Sequence, residues 1–140
     1  MQSLNAIIDT TSFEKAWSEV ADDSVPPPGQ LFAQALLDRF VRETGVSSLV
    51  PVVDPDMWEH SNWYFWVIQS GRTFMIGVEP LPDDERTPLR WRLFVSRVRV
   101  PLLELLFRRR TAHLVPVEFL ATFEKVITEV AAPTSFSWKR

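Results

Sequence analysis

Cysteine is absent from this 140-residue chain, which excludes a disulfide framework and, with it, thiol-based zinc or redox chemistry. Glycine occurs only four times and never in a Gly-rich loop, so the backbone of a phosphate-cradling nucleotide site is missing. Histidine occurs twice, as His60 and His113. Neither stands in a nucleophile motif, and there is no Gly-x-Ser-x-Gly. No uncharged apolar run approaches the length of about 20 residues that a membrane helix needs. The longest, Ser61 to Gly71, is short and rich in β-branched and aromatic residues. The opening MQSLNAIIDTTSFEKAW has no basic region followed by an apolar run, so no secretory signal is expected. These absences lead us to expect a cytoplasmic protein with no membrane partner and no cofactor.

What is present fits one globular α+β domain over residues 1–140. Hydrophobic residues make up 46% and charged residues 24%, an ordinary balance that excludes wholesale disorder. A chain of this length buries roughly 68–70% of the surface it exposes when unfolded, enough for a sizeable core. The net charge of −3 is unevenly placed: residues 1–85 carry 14 acidic and 4 basic side chains, whereas residues 86–110 carry eight arginines against Glu104 alone. Two readings follow. Either the basic segment recognises an acidic partner such as nucleic acid, or the acidic half folds against it; the overall negative charge favours the second.

Periodicity predicts the order α-α-β-β-β-β-α-α. Thr11-x-x-Glu14 is a capping box before Phe13, Ala16, Trp17 and Val20, and the prolines of DDSVPPPG end that helix. A second helix is expected over 30–44, with Leu31, Phe32, Ala35, Leu36, Phe40 and Val41 on its apolar face and Gly45 as C-terminal cap. VSSLVPVV, residues 46–53, reads as an edge strand because Pro51 cannot donate to an inner ladder. SNWYFWVIQSGRTFMIGVEP, residues 61–80, reads as a hairpin turning at Ser70-Gly71, with Tyr64 opposite Gly77 and shielding it. Residues 89–100 form a further strand, its phase slipping near Ser96-Arg97 so that Val98 and Val100 continue the apolar side. A short helix is expected over 101–109, and a last one starts at Pro116 and stops before Pro133. The fold class is therefore an antiparallel three- to four-stranded meander packed with two N-terminal and one to two C-terminal helices. The ends, 1–10 and 133–140, are expected to fray.

In the 61–80 hairpin both faces are bulky. One gathers Trp63, Phe65, Val67, Phe74, Ile76 and Val78, a core set. The other gathers Tyr64, Trp66, Ile68 and Met75, joined by Phe94 and flanked by Arg90 and Arg92. Three buried rings amount to roughly 450–750 Å², against about 300–600 Å² for the largest apolar patch of a typical monomer. That face needs a cover: the chain's own helix 101–109 through Leu102, Leu105 and Leu106, a protein partner or second copy, or a ligand. Arg90 and Arg92 would have to stay wet or meet carboxylates, since a lone guanidinium is not buried. Aromatics with methionine and arginine are what interface centres favour.

Three other groups carry possible chemistry. Asp54, Asp56, Glu59 and His60 form the one ligand-like cluster, a weak candidate for a divalent ion, but Asp54-Pro55 reads better as a helix start. Arg108, Arg109 and Arg110 could grip phosphate, or simply complement a helix C-terminus. Asp83, Asp84 and Glu85 lie in a proline-flanked loop within reach of Arg86, Arg90 and Arg92. The expectation is a non-catalytic protein-binding domain, of the adaptor, inhibitor/immunity or chaperone kind, with no catalytic residue. Its alternative is a ligand- or nucleic-acid-binding domain using the same face with the arginines of 90–110; a metal-dependent enzyme centred on 54–60 is the weakest reading.

Overall fold

The computed structural model describes residues 3–13, 29–43, 46–48, 58–59, 62–81, 89–99, 106 and 114–139. In chain order these give β1 (Ser3–Thr10), α1 (Gln30–Phe40), β2 (Val46–Ser48), β3 (Trp58–Glu59), β4 (Asn62–Gln69), β5 (Arg72–Pro80), β6 (Leu89–Arg99), α2 (Val117–Ala131) and β7 (Ser135–Lys139). The strands form one antiparallel sheet in the order β2-β4-β5-β6-β1-β7, with β3 pairing β4 off that path. The architecture is α+β.

The hairpin of β4 and β5 follows from its turn. Ser70 (φ 52°) and Gly71 (φ 73°) are both left-handed, the backbone of a type I′ turn whose twist matches that of the flanking strands. The register that results pairs Trp63 with Val78, Phe65 with Ile76 and Val67 with Phe74 on one face, and Tyr64 with Gly77 and Trp66 with Met75 on the other. β6 continues the meander and brings Trp91, Leu93 and Val95 to the first face. All of these first-face residues are buried.

Both helices lie on that first face. α1 buries Phe32, Ala33, Leu36, Leu37 and Phe40, and α2 buries Phe119, Phe123, Val126, Ile127 and Ala131. Phe40, Phe74, Phe119 and Phe123 interlock: Phe119 stacks on Phe74 at 3.8 Å, and Phe40 lies 5.8 Å from Phe119 and 5.6 Å from Phe123. Outside this cluster Arg39 bridges Glu43 and Glu129, and Lys125 reaches Glu43 at 3.2 Å, so charges on the rim join α1 to α2. α2 begins after Pro116 and is capped by Ala132, whose φ of 41° is left-handed, one residue before Pro133.

Within the stretches expected to fray, the described residues are mostly strand. Residues 3–10 form an inner strand, paired with β6 on one side and β7 on the other, and residues 135–139 form β7 itself. β1 alternates Leu4, Ala6, Ile8 and Thr10 inward with Asn5, Ile7 and Asp9 outward. The meander is thus part of a wider sheet than the three to four strands expected. Thr10 does local work at its end. Its Oγ1 donates to the Ala131 carbonyl at 2.5 Å, and Ser12 Oγ donates to the same oxygen at 2.9 Å, satisfying a C-terminal helix carbonyl that has no partner within the helix. Thr134 N–H returns to the Asp9 carbonyl at 2.8 Å and so starts the β1–β7 ladder.

Other expectations change in detail. α1 ends at Phe40, and its apolar face excludes Leu31, 80% exposed, and Val41. Phe13 follows β1 directly and stacks on Phe32 at 4.4 Å. The phase slip in β6 is an irregularity opposite Thr73/Phe74, where Phe74 pairs with Arg97 and Thr73 with Arg99. Val98 is the extra residue and is exposed, while Arg97 is buried, at 1% exposure, beside the core. The apolar side therefore passes through an arginine and not through Val98. The bulge leaves Val98 without a paired residue on β5 and turns it outward. Of the helix expected over 101–109 only Leu106 is described, and it is 58% exposed. The helix expected after Thr11 and the cap at Gly45 lie outside the described residues, as do positions 49–53 of the expected edge strand. Val46–Ser48 does stand at the sheet's edge, beside β4.

Candidate functional site

Strand alternation and the observed register carry one polar–aromatic surface across the face away from α1 and α2. A row running through the pairs Tyr64–Gly77, Gly77–Phe94, Phe94–Asn5 and Asn5–Lys139 crosses five strands. A second joins Trp66, Met75 and Ser96. The five apolar residues of the expected patch, Tyr64, Trp66, Ile68, Met75 and Phe94, are thus brought together, and each is half-buried. The Tyr64 and Trp66 rings meet edge to face at 5.5 Å, the geometry that opposes the positive edge of one ring to the negative face of the other.

Gly77 sits at the centre of the patch. The ring nearest to it is that of Phe94 on β6, a neighbour that the hairpin pairing with Tyr64 alone did not supply. A Cβ at position 77 would stand 1.8 Å from Phe94 Cζ and 2.1 Å from Cε1. Phe94 therefore lies flat on β5 because position 77 carries no side chain. Gly77→Ala should expel the ring and lower stability by about 1–3 kcal/mol, the range for a group forced into a filled space. With Phe94 already replaced by alanine the same change should cost much less, so a double-mutant cycle by urea denaturation checks the contact.

Arg90 and Arg92 flank the aromatic rows and face carboxylates. Arg90 Nε donates to Asp9 Oδ1 at 2.8 Å, with a weaker second bond to Oδ2, and Arg92 pairs with Glu79. Each pair lies directly across a ladder, Asp9 opposite Arg90 and Glu79 opposite Arg92. The carboxylate side chains are the more buried partners, and the arginine side chains remain 37% and 41% exposed. Exposed pairs of this kind contribute at most about 1 kcal/mol each. Their larger effect is on charge, since two arginines of the basic segment are neutralised by the acidic half of the chain. Asp9 was not among the expected site residues. Its signal lies in the Asn5-x-Ile7-x-Asp9 alternation, which puts it on this face once 3–10 is read as a strand.

The remaining candidates fall elsewhere. Asp54, Asp56, His60, Asp83, Asp84, Glu85, Arg108, Arg109, Arg110 and His113 lie outside the described residues; Glu59 is described only as backbone in β3. Among the described residues no group of three or more His, Cys, Asp or Glu is placed to hold a metal ion, and no helix is long and apolar enough to cross a membrane.

No protein-family model, curated protein or solved structure matches this chain. Its function must be read from the site. A hollow lies between α2 and β7, lined by Glu124, Thr128, Phe136, Ser137 and Trp138. The Trp138 indole N–H donates there to Glu124.

Proposed function

We infer that the chain is a non-catalytic protein-binding domain whose docking surface is the sheet face bearing Tyr64, Trp66, Ile68, Met75 and Phe94. One observation carries this reading: those five residues stand in register on the side opposite α1 and α2. A half-buried set of three rings, an isoleucine and a methionine has the composition of an interface centre. Arg90 and Arg92 supply a polar rim already balanced by Asp9 and Glu79. That balance favours a protein over a nucleic acid. A phosphate backbone would have to displace two carboxylates to reach either guanidinium, whereas a protein partner can accept the neutral pairs as they are. The partner is a protein offering an apolar centre, either another chain or a second copy of this one.

Trp66→Glu tests the reading. A carboxylate at the middle of a desolvated patch should weaken partner binding by about 30-fold or more, the effect of losing one hot-spot side chain. Pull-down and titration of the captured partner with wild type and variant, together with thermal unfolding of both, separate lost binding from lost folding. Equal capture by a folded Trp66→Glu variant would exclude this face as the docking surface.

A further inference from the structure

The two edges of the sheet are built differently. On one side, among the described residues, stand β2 (Val46–Ser48) and β3 (Trp58–Glu59), both paired with β4. On the other side stands β7, five regular residues without proline or bulge. Among the described residues nothing pairs with its outer edge.

Hydrogen-bond phase determines which groups that edge presents. A two-residue turn at Ser70-Gly71 is closed by a hydrogen-bonded pair, Gln69 with Arg72. In antiparallel sheets the direction in which backbone groups point then alternates residue by residue. Carried across β5, β6 and β1, this phase is supported by the Leu81 N–H bond to the Arg90 carbonyl at 3.1 Å. It directs the backbone of Ser135, Ser137 and Lys139 toward β1 and that of Phe136 and Trp138 outward.

We propose that the outer edge of β7 pairs antiparallel with β7 of a second copy of this chain, joining two sheets into one across a twofold axis at Ser137. Antiparallel pairing about Ser137 sets Phe136 opposite Trp138 of the second copy and Trp138 opposite its Phe136. These are the residues whose N–H and C=O groups point outward, so each pair exchanges two backbone hydrogen bonds. Ser137 meets Ser137 at the narrow, non-bonded position, where Cα atoms approach to about 4.5 Å and a small uncharged side chain fits best. Ser135 meets Lys139, and no like charges oppose. The half-buried Phe136 and Trp138 rings, already 5.5 Å apart within one chain, each gain an aromatic neighbour across the new ladder. The hollow beside α2 stands next to them. Five residues of strand bury less than the roughly 1,200–2,000 Å² of a stable interface, so the dimer exchanges with monomer and depends on concentration.

Sedimentation or light scattering from about 1 µM to about 1 mM, a range spanning weak self-association, should show the mass rising from one chain of 16.2 kDa toward twice that value. Ser137→Lys and Ser137→Asp, both at an exposed residue, place like charges face to face, and each should remain a single chain throughout. Mixing the two should restore the doubled mass, with circular dichroism confirming that both are folded. Trp66→Glu should leave the dimer intact. A wild type of one-chain mass across the whole range overturns the proposal. So does a dimer that the Ser137 variants keep, a mixture that fails to associate, or a dimer lost only with Trp66→Glu. Each of these leaves the aromatic face to be judged by its own partner-binding test.

Discussion

Phe119→Ala should lower the free energy of unfolding by about 3–5 kcal/mol, the cost of removing a fully buried ring whose surroundings relax only in part. Phe119 is completely buried on the inner side of α2. It stacks on Phe74 of β5 at 3.8 Å with an interplanar angle of 16°, and on Phe40 of α1 at 5.8 Å with an angle of 6°. A single side chain therefore touches the sheet and the other helix together. Its loss opens a cavity at the junction of three elements that approach from different directions, so collapse of one cannot fill it. Against a typical total of about 5–15 kcal/mol, the variant should sit near the edge of folding. Urea denaturation should show a much lower midpoint with little change in slope. Val117→Ala in the same helix, at a residue 77% exposed, should shift the midpoint by less than about 0.5 kcal/mol equivalent. Similar losses in the two variants would mean that α2 is not seated through Phe119.

Gly29→Ala should be the next most damaging change, although it adds only one methyl group. Gly29 precedes α1 with φ 123° and ψ −5°, a backbone that L side chains rarely adopt and that costs about 1–3 kcal/mol when imposed on one. The methyl would also stand 3.1 Å from Trp91 Cζ3 and 3.4 Å from Trp63 Cδ1, both rings of the closed core. The position cannot simply rotate away, because the Gly29 carbonyl accepts the first helical bond, from Ala33 N–H at 2.8 Å. Strain and crowding thus act together, and tryptophan emission should change along with stability. Gly71→Asn is the informative contrast. Its φ of 73° lies where asparagine is tolerated, and nothing stands within 4 Å of an added Cβ; stability should stay nearly unchanged. Equal effects at positions 29 and 71 would show that the surroundings of these glycines do not matter.

The parts of the fold that could be read from sequence are those set by neighbours in the chain. The Ser70-Gly71 turn sets the register found from Trp63–Val78 to Gln69–Arg72, because a two-residue loop leaves one way to align its strands. The spacing of Phe119, Phe123, Val126 and Ile127 placed α2 correctly for the same reason: adjacent turns decide which side chains share a face. β1 was illegible. Asn5, Ala6 and Asp9 have weak strand propensity, and Ser3–Thr10 is a strand because β6 and β7, far away in sequence, pair with it. β7 was illegible for a similar reason, since SFSWK is too short to declare itself without the aromatic packing of Phe136 and Trp138 onto the core. The candidate face was recovered as a set, because its members alternate along strands that were recognised. Its charge was not. The carboxylate facing Arg90 belongs to Asp9 on the unrecognised strand, and the ring over Gly77 comes from β6, beyond the hairpin.

The central place of residues 3–10 in the sheet has a consequence for biosynthesis. At about 5–20 residues per second, on the order of ten seconds separates the making of this segment from the making of residues 135–139, its flank on one side. Through that interval Leu4, Ile7 and Ile8 have no finished sheet to join, and they are open to chaperones or to neighbouring nascent chains. Assembly then proceeds as a late event that draws distant segments together, the kind of closure that long sequence separation makes slow.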